Sequence, residues 1–444
     1  MSEVDGRSRA VTWLGLVASV SLASPALGIS EGRGVSGWTT ESGPAFMLPF
    51  TAGSAILATV LGLLVMRRDR AAGWVWVLLA GSLVCAVMAV ALIGADEVPD
   101  SWLLYCAAGA ALMLISLGLL GAGNWLLHAR GVAAATPVIA ATFAVPLLAW
   151  FLAILLSRRD FSVIAAWVVG LGLAGLAAAI GILTMVPALR SGPAPAAPSQ
   201  RIVVVGCVAS ALILGPDLVH RIVPDPKPVA ITGLAVLAAA IALAALLGRP
   251  AFGAVLALSL LGYGLNFPIG YATFFSGRIE ADLIVALAGA ALGGLAAATR
   301  WRHRFAGAAG VLVAAGVLAW ALNPAPEDVF ADGSLPGALL WLLLAGSGFA
   351  LTAGAVTAAA TIGAGAMLPV ALGLIVPAIG LGLTEADTLV NHGALADAGG
   401  GAQLLVTGLI SSLALLAGAG LLVASHRQKP RADQQSEPGE PQPV

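Results

Sequence analysis

The sequence predicts an all-α polytopic membrane protein of about 14 transmembrane helices, built as two six-helix halves plus an inserted helix pair. Three observations lead there: too much apolar side chain for one soluble core, apolar runs of spanning length, and charge that alternates from loop to loop. Of 444 residues, 59% are hydrophobic and 10% charged, and the mean hydropathy is +0.99. The bilayer must supply the missing apolar solvent.

A hydrocarbon core of ~30 Å needs about 20 apolar residues per helix. Span one (10–29) follows Arg7 and Arg9, and span two (45–66) ends at the Arg67–Arg70 cluster. Spans three (72–94) and four (102–127) flank an acidic loop, and Arg130 separates four from five (133–156). Span six (163–188) follows Arg158 and Arg159 and ends at Arg190. Spans seven (202–222) and eight (229–248) lie between Arg201 and Arg249. Nine (252–275) runs up to Arg278, ten (281–299) to Arg300, and eleven (305–322) starts beyond Arg304. Twelve (336–359), thirteen (363–381) and fourteen (402–424) complete the set. An alternative for span one is a secretory signal ending near "SLASPALG", but the run reaches Ile29 and lacks a clean Ala-x-Ala site.

With the N-terminus in the cytoplasm, 15 of the 21 basic residues fall in inside loops and 6 outside. The acids go the other way, six inside and 16 outside. Short loops alternating this way obey the positive-inside rule, placing both termini at the cytoplasmic face of the inner membrane. The net charge of -1 therefore hides a dipolar molecule whose partners are membrane lipid and a small-molecule substrate, not nucleic acid.

Cys85, Cys106 and Cys207 sit in different spans without metal-ligand spacing and read as small buried hydrophobes. The five histidines lie at helix ends or in loops, and no P-loop, zinc signature or nucleophile elbow occurs. Enzymatic chemistry, a cofactor and direct use of ATP are not expected. Nor does any Asp, Glu, Lys or Arg fall near the middle of a span. The nearest is Asp217, in "GPDLVHR", at the outer end of span seven: the candidate coupling residue, or a solvated cap beside Arg221.

Two stretches repeat one pattern, "LGLLVMRRDRAAGWVWVLLAG" at 61–81 and "LGGLAAATRWRHRFAGAAGVL" at 292–312. If spans seven and eight are an inserted pair, these become equivalent loops of two duplicated halves. The expected organisation is a cytoplasmic N-terminus (1–9), a first half (10–189), a linker with the inserted pair (190–248), a second half (249–425) and a polar, Pro-rich disordered tail (426–444).

On these stretches, on "PALGISEGRGVSGWTTESGPAFMLPFTAG" and on "GYATFFSGRIEADLIVALAGAALGGLAAATRWRHRF", the chain resembles the major facilitator superfamily, within it the fourteen-helix drug/proton antiporters. That group's Asp-Arg-x-Gly-Arg-Arg loop is represented by Gly62 with Arg67, Arg68, Asp69 and Arg70, and Tyr105 stands where its helix-four arginine aligns. The resemblance implies a secondary carrier working by alternating access. Arg67, Arg68, Asp69, Arg70, Arg300, Arg302 and Arg304 then either latch the halves by bonding a neighbouring helix end, or anchor the loops in anionic headgroups.

"LGYGLNFPIGYATFF" at 261–275 puts polar groups in mid-span nine. An asparagine there must face protein or a water-filled cavity, because lipid offers its amide nothing. Pro268 removes a backbone donor toward Gly264, so a break in the helix is expected near Gly264–Pro268. Tyr263, Asn266, Pro268 and Tyr271 are the candidate substrate-binding residues; otherwise Asn266 ties two helices together. The expected substrate is neutral or amphipathic, since this lining has hydroxyl, amide and ring but no fixed charge. A second class is a non-transporting membrane partner of an envelope or lipid-handling complex.

Overall fold

The computed structural model describes residues 71–93, 102–144, 163–186, parts of 201–213, 226–275, 279–322, 335–365, 367–390, 395 and 400–427. Spans one and two, Arg67, Arg68, Asp69, Arg70, Asp217 and the tail lie outside the described residues. The described elements are all helical: α1 (Ala71–Leu92), α2 (Trp102–Arg130), α3 (Val132–Ala144), α4 (Val163–Met185), α5 (Pro226–Ala245), α6 (Arg249–Phe275), α7 (Ile279–Ala297), α8 (Arg302–Ala321), α9 (Leu335–Ile362), α10 (Met367–Val370), a π-helical turn (Ala371–Ile375), α11 (Val376–Leu389) and α12 (Gly400–Arg427).

Helix is what these residues must form once water is removed, because it satisfies every backbone group within the segment. Among the described residues, six helices are long and apolar enough to cross a membrane. Their outer faces are apolar as well. On α1, Trp76, Leu79, Leu83, Val87 and Val90 form an exposed stripe at helical spacing, while Val77, Leu78, Cys85 and Met88 are buried behind it. A stripe of that size tolerates lipid and not water. The protein is multi-pass in a membrane.

Glycine sets the tight reversals. Gly131 (φ 82°) alone joins α2 to α3, and Gly248 (φ 101°) lets α6 start directly after α5. Both positions need the left-handed region that a side chain disfavours.

α1 lies on α2 and α4. α9 packs on α6, α7 and α8, and α12 packs on α6 and α8. The α7–α9 pair is so close that Gly289, Gly293 and Gly348 have no room for a Cβ, and Thr352 Oγ1 donates across it to the Ala290 carbonyl at 2.8 Å. Small residues allow that approach, and dispersion and the polar contact then hold it. The expected inserted helix, α5, packs along α11. The most enclosed of the six spans is α6: 67% of Arg249–Ile269 is buried, against 33% of Gly73–Leu92 on α1.

Two boundary expectations need correction. The helix expected at 363–381 starts after a turn and runs from Met367 to Leu389, interrupted only in pattern by the π turn. Its outer end, "GLTEADTL", has polar side chains but continues as helix: Thr384 Oγ1 donates to the Gly380 carbonyl at 3.1 Å, and Asp387 accepts from a tyrosine of α6. The second correction concerns the expected break in span nine: α6 is continuous through Gly264–Pro268. Leu265, Phe267 and Ile269 are buried on several sides, so neighbouring helices hold the backbone straight past the missing donor. Gly264 serves packing instead, since a Cβ there would meet Leu415 Cγ at 2.6 Å and the Ser411 carbonyl oxygen at 2.8 Å.

Candidate functional site

At 100° per residue, Ser259, Tyr263 and Asn266 share one face of α6, within a sector of about 60°. That face meets α11. Ser259, 1% exposed, donates to the Val255 carbonyl of its own helix at 2.9 Å and lies 3.4 Å from the Val376 carbonyl of α11. One turn further on, the buried Tyr263 hydroxyl donates to the Asp387 carboxylate. One carboxylate oxygen, Asp387 Oδ1, is buried without a hydrogen-bond partner among the described residues. Asn266 completes the face and is exposed. A polar stripe on the most enclosed span thus leads from a buried serine, through a Tyr–Asp pair, to an open amide.

The backbone opposite is irregular. Pro377 lies in the first turn of α11 and cannot donate to the carbonyl four residues back, which would clash with its ring. The π turn Ala371–Ile375, immediately before it, widens the helix and takes up that misfit. Such a turn adds a residue to the register and so re-aims the side chains beyond it. In α11 these include Glu385 and Asp387, and Glu385 lies against Gly233 of α5, where any side chain at 233 would collide with it.

The residues expected for the site are therefore partly brought together. Tyr263 and Asn266 share the face; Pro268 is buried and turned about 140° from Tyr263, so it serves packing. Tyr271 lies on α6 about 80° from Tyr263, and its side chain is outside the described set. Hydropathy puts Asp387 in an outer loop, whereas the structure puts it on a helix against Tyr263. Asp387 thus puts a carboxylate beside the face that the sequence reading left without a fixed charge. A second acid assigned to the outside, Asp282, is 1% exposed on α7 and accepts from Trp341 Nε1 at 2.9 Å. The signal that could have found Asp387 is the resumption of apolar residues at Leu389 and Val390 after the dip in hydropathy.

Arg300, Arg302 and Arg304 surround the α7–α8 turn. The Arg300 and Arg304 guanidinium carbons stack over the Trp301 ring at 5.2 and 4.2 Å from its centre. Trp301 itself is exposed, and its backbone N–H donates to Thr299 Oγ1 at 3.3 Å. Cations held on an exposed indole at a helix end suit the membrane interface.

No protein-family model and no curated protein matches this chain. In three dimensions it is similar to the fucose:proton symporter FucP of E. coli, solved as a single-substitution form, with a TM-score of 0.50 at 13% identity over 94% of this chain and 99% of that one. It is also similar to the human organic anion transporter MFSD10 (TETRAN), with a TM-score of 0.44 at 16% identity over the same shares. The second likeness is too loose to carry an argument. The first, at its low identity, shows the fold alone: the chain folds like that symporter.

Proposed function

We propose that the protein is a secondary transporter that moves a neutral or amphipathic small molecule across the cytoplasmic membrane by alternating access. On this reading it has the fourteen-span layout of the drug/proton antiporters, both termini cytoplasmic, and two halves (10–189 and 249–425) that rock about the segment 190–248. The observation that carries it is the polar face of α6: Ser259 and Tyr263 buried against α11, with Asp387 beside Tyr263 and Asn266 open on the same side.

Polar groups are expensive inside a membrane protein and persist where water, ligand or another polar group meets them. The Tyr263 hydroxyl and Ser259 account for part of this face, but Asp387 Oδ1 has no partner among the described residues and Asn266 is exposed. A small molecule with a hydroxyl or amine donor suits both. Asp387 joins Asp217 as a candidate coupling group, because it touches the proposed site directly and can exchange a proton as the substrate arrives or leaves.

The test is flux into proteoliposomes holding the full chain, with ethidium as the amphipathic probe and L-fucose as the neutral one. Protein-dependent movement of either, lost in Asn266→Leu while the protein stays folded, supports the reading. Movement of neither, from correctly inserted protein, favours the non-transporting membrane partner.

A further inference from the structure

The turn between α9 and α10 is held by a residue far away in the chain. Gly363 (φ 83°) ends α9, its N–H donating to the Ala359 carbonyl at 2.9 Å. Two residues later Gly365 (φ 152°) stands just ahead of α10, its carbonyl accepting from the Leu368 N–H at 3.0 Å. Its own N–H would be one of the orphan donors of a helix start. Instead it donates to Asn124 Oδ1 on α2 at 2.7 Å, and Asn124 is 7% exposed. A side chain of the first half therefore caps a helix of the second.

The same end of the molecule shows a second approach between the halves, where a Cβ on Gly294 of α7 would lie 3.7 Å from Ala140 of α3. Trp125 and Leu126, next to Asn124, are buried in one apolar cluster with Ala359 and Leu368. By the positive-inside rule this is the cytoplasmic end, since Arg130, Arg300 and the Gly363–Gly365 turn all lie there.

We infer that Asn124 and the Gly365 amide form the latch that holds the two halves closed at this end. The inference rests on the alternating-access reading and specifies its gate. The contact suits a reversible role. When the halves part, water reaches both the Asn124 amide and the Gly365 N–H, so neither group is stranded. When they close, the apolar cluster excludes water and the Gly365 N–H, which ahead of the helix start has no acceptor within α10, is met by Asn124 Oδ1.

The test is a distance between the halves that needs no substrate. With Cys85, Cys106 and Cys207 replaced by alanine, spin labels at the exposed positions His128→Cys and Ala364→Cys report the separation of α2 from the turn by pulsed electron resonance in nanodiscs. The parent protein should give a dominant short distance. Asn124→Leu, similar in size but without an acceptor, should cut that population at least about threefold in favour of a longer one, while Asn124→Asp, which keeps the acceptor oxygen, should retain it. An Asn124→Leu distribution identical to the parent overturns the latch. Should Asn124→Leu fail to fold, Asn124→Ala, which also removes the acceptor but adds no apolar bulk, replaces it under the same criterion. A shifted distance in a protein that moves neither ethidium nor L-fucose would leave the latch standing and remove the transport reading.

Discussion

Tyr263 and Asp387, on α6 and α11, share a hydrogen bond that brings a carboxylate onto the polar face of the most enclosed span. Removing the phenol leaves that carboxylate with one partner fewer in a site where replacement by water is restricted. Tyr263→Phe should therefore lower unfolding stability by roughly 0.6–1.7 kcal/mol, the range for hydrogen bonds between membrane helices. In a double-mutant cycle with Asp387→Ala, which removes the acceptor, the coupling should be at least about 0.5 kcal/mol. Strict additivity would show that the two side chains do not act as a pair.

Gly262 and Gly264 are near neighbours on α6 with opposite surroundings. A Cβ at 262 meets nothing within 4 Å, whereas one at 264 would strike Leu415 Cγ at 2.6 Å and the Ser411 carbonyl at 2.8 Å. Gly264→Ala should thus destabilise the protein by about 1–3 kcal/mol through overpacking against α12. Gly262→Ala should be neutral or stabilising by up to about 1 kcal/mol. Thermal unfolding of the two variants in detergent reads the difference directly.

Charge placement predicts the orientation. In a cysteine-free background, cysteines at positions 98 and 330 should react with an impermeant thiol reagent added outside, and those at 303 and 429 should not. The reverse pattern would invert the topology, and termini on opposite sides would refute the fourteen-span count.

Much of this arrangement is legible in the sequence, for a physical reason. Hydropathy marks most of the fully described spans to within a few residues because lipid imposes one length and one polarity on every helix, as with 102–127 against Trp102–Arg130; the helix expected at 363–381, which runs on to Leu389, is the exception. Tyr263 and Asn266 are legible too, since polar groups at mid-span stand out against their neighbours. Asp387 is not. Its segment carries Thr384, Glu385 and Asp387 within four residues, which lowers hydropathy to that of a loop. It stays helical, with Asp387 in contact with Tyr263 and Glu385 packed over Gly233, and tertiary partners of this kind leave no trace in a window average. The break expected at Pro268 fails for the complementary reason: local rules see the lost donor, but not the helices on either side that hold α6 straight.

Asn266 separates two roles that the sequence leaves open. Because it is exposed and not packed between helices, Asn266→Leu should leave stability within about 0.5 kcal/mol of the parent. Ethidium flux should nonetheless fall by about tenfold or more, the equivalent of losing roughly 1.4 kcal/mol of interaction with the moving substrate. A loss of stability with flux intact would assign Asn266 to helix association instead.

The most direct test of the central claim is ethidium movement driven by a pH gradient in proteoliposomes, compared between the parent chain and Asp387→Asn. The amide keeps an acceptor for Tyr263 but cannot release a proton. The account predicts gradient-driven accumulation with the parent and none with Asp387→Asn, while exchange without a gradient persists. Gradient-driven accumulation at the parent rate in Asp387→Asn would contradict it.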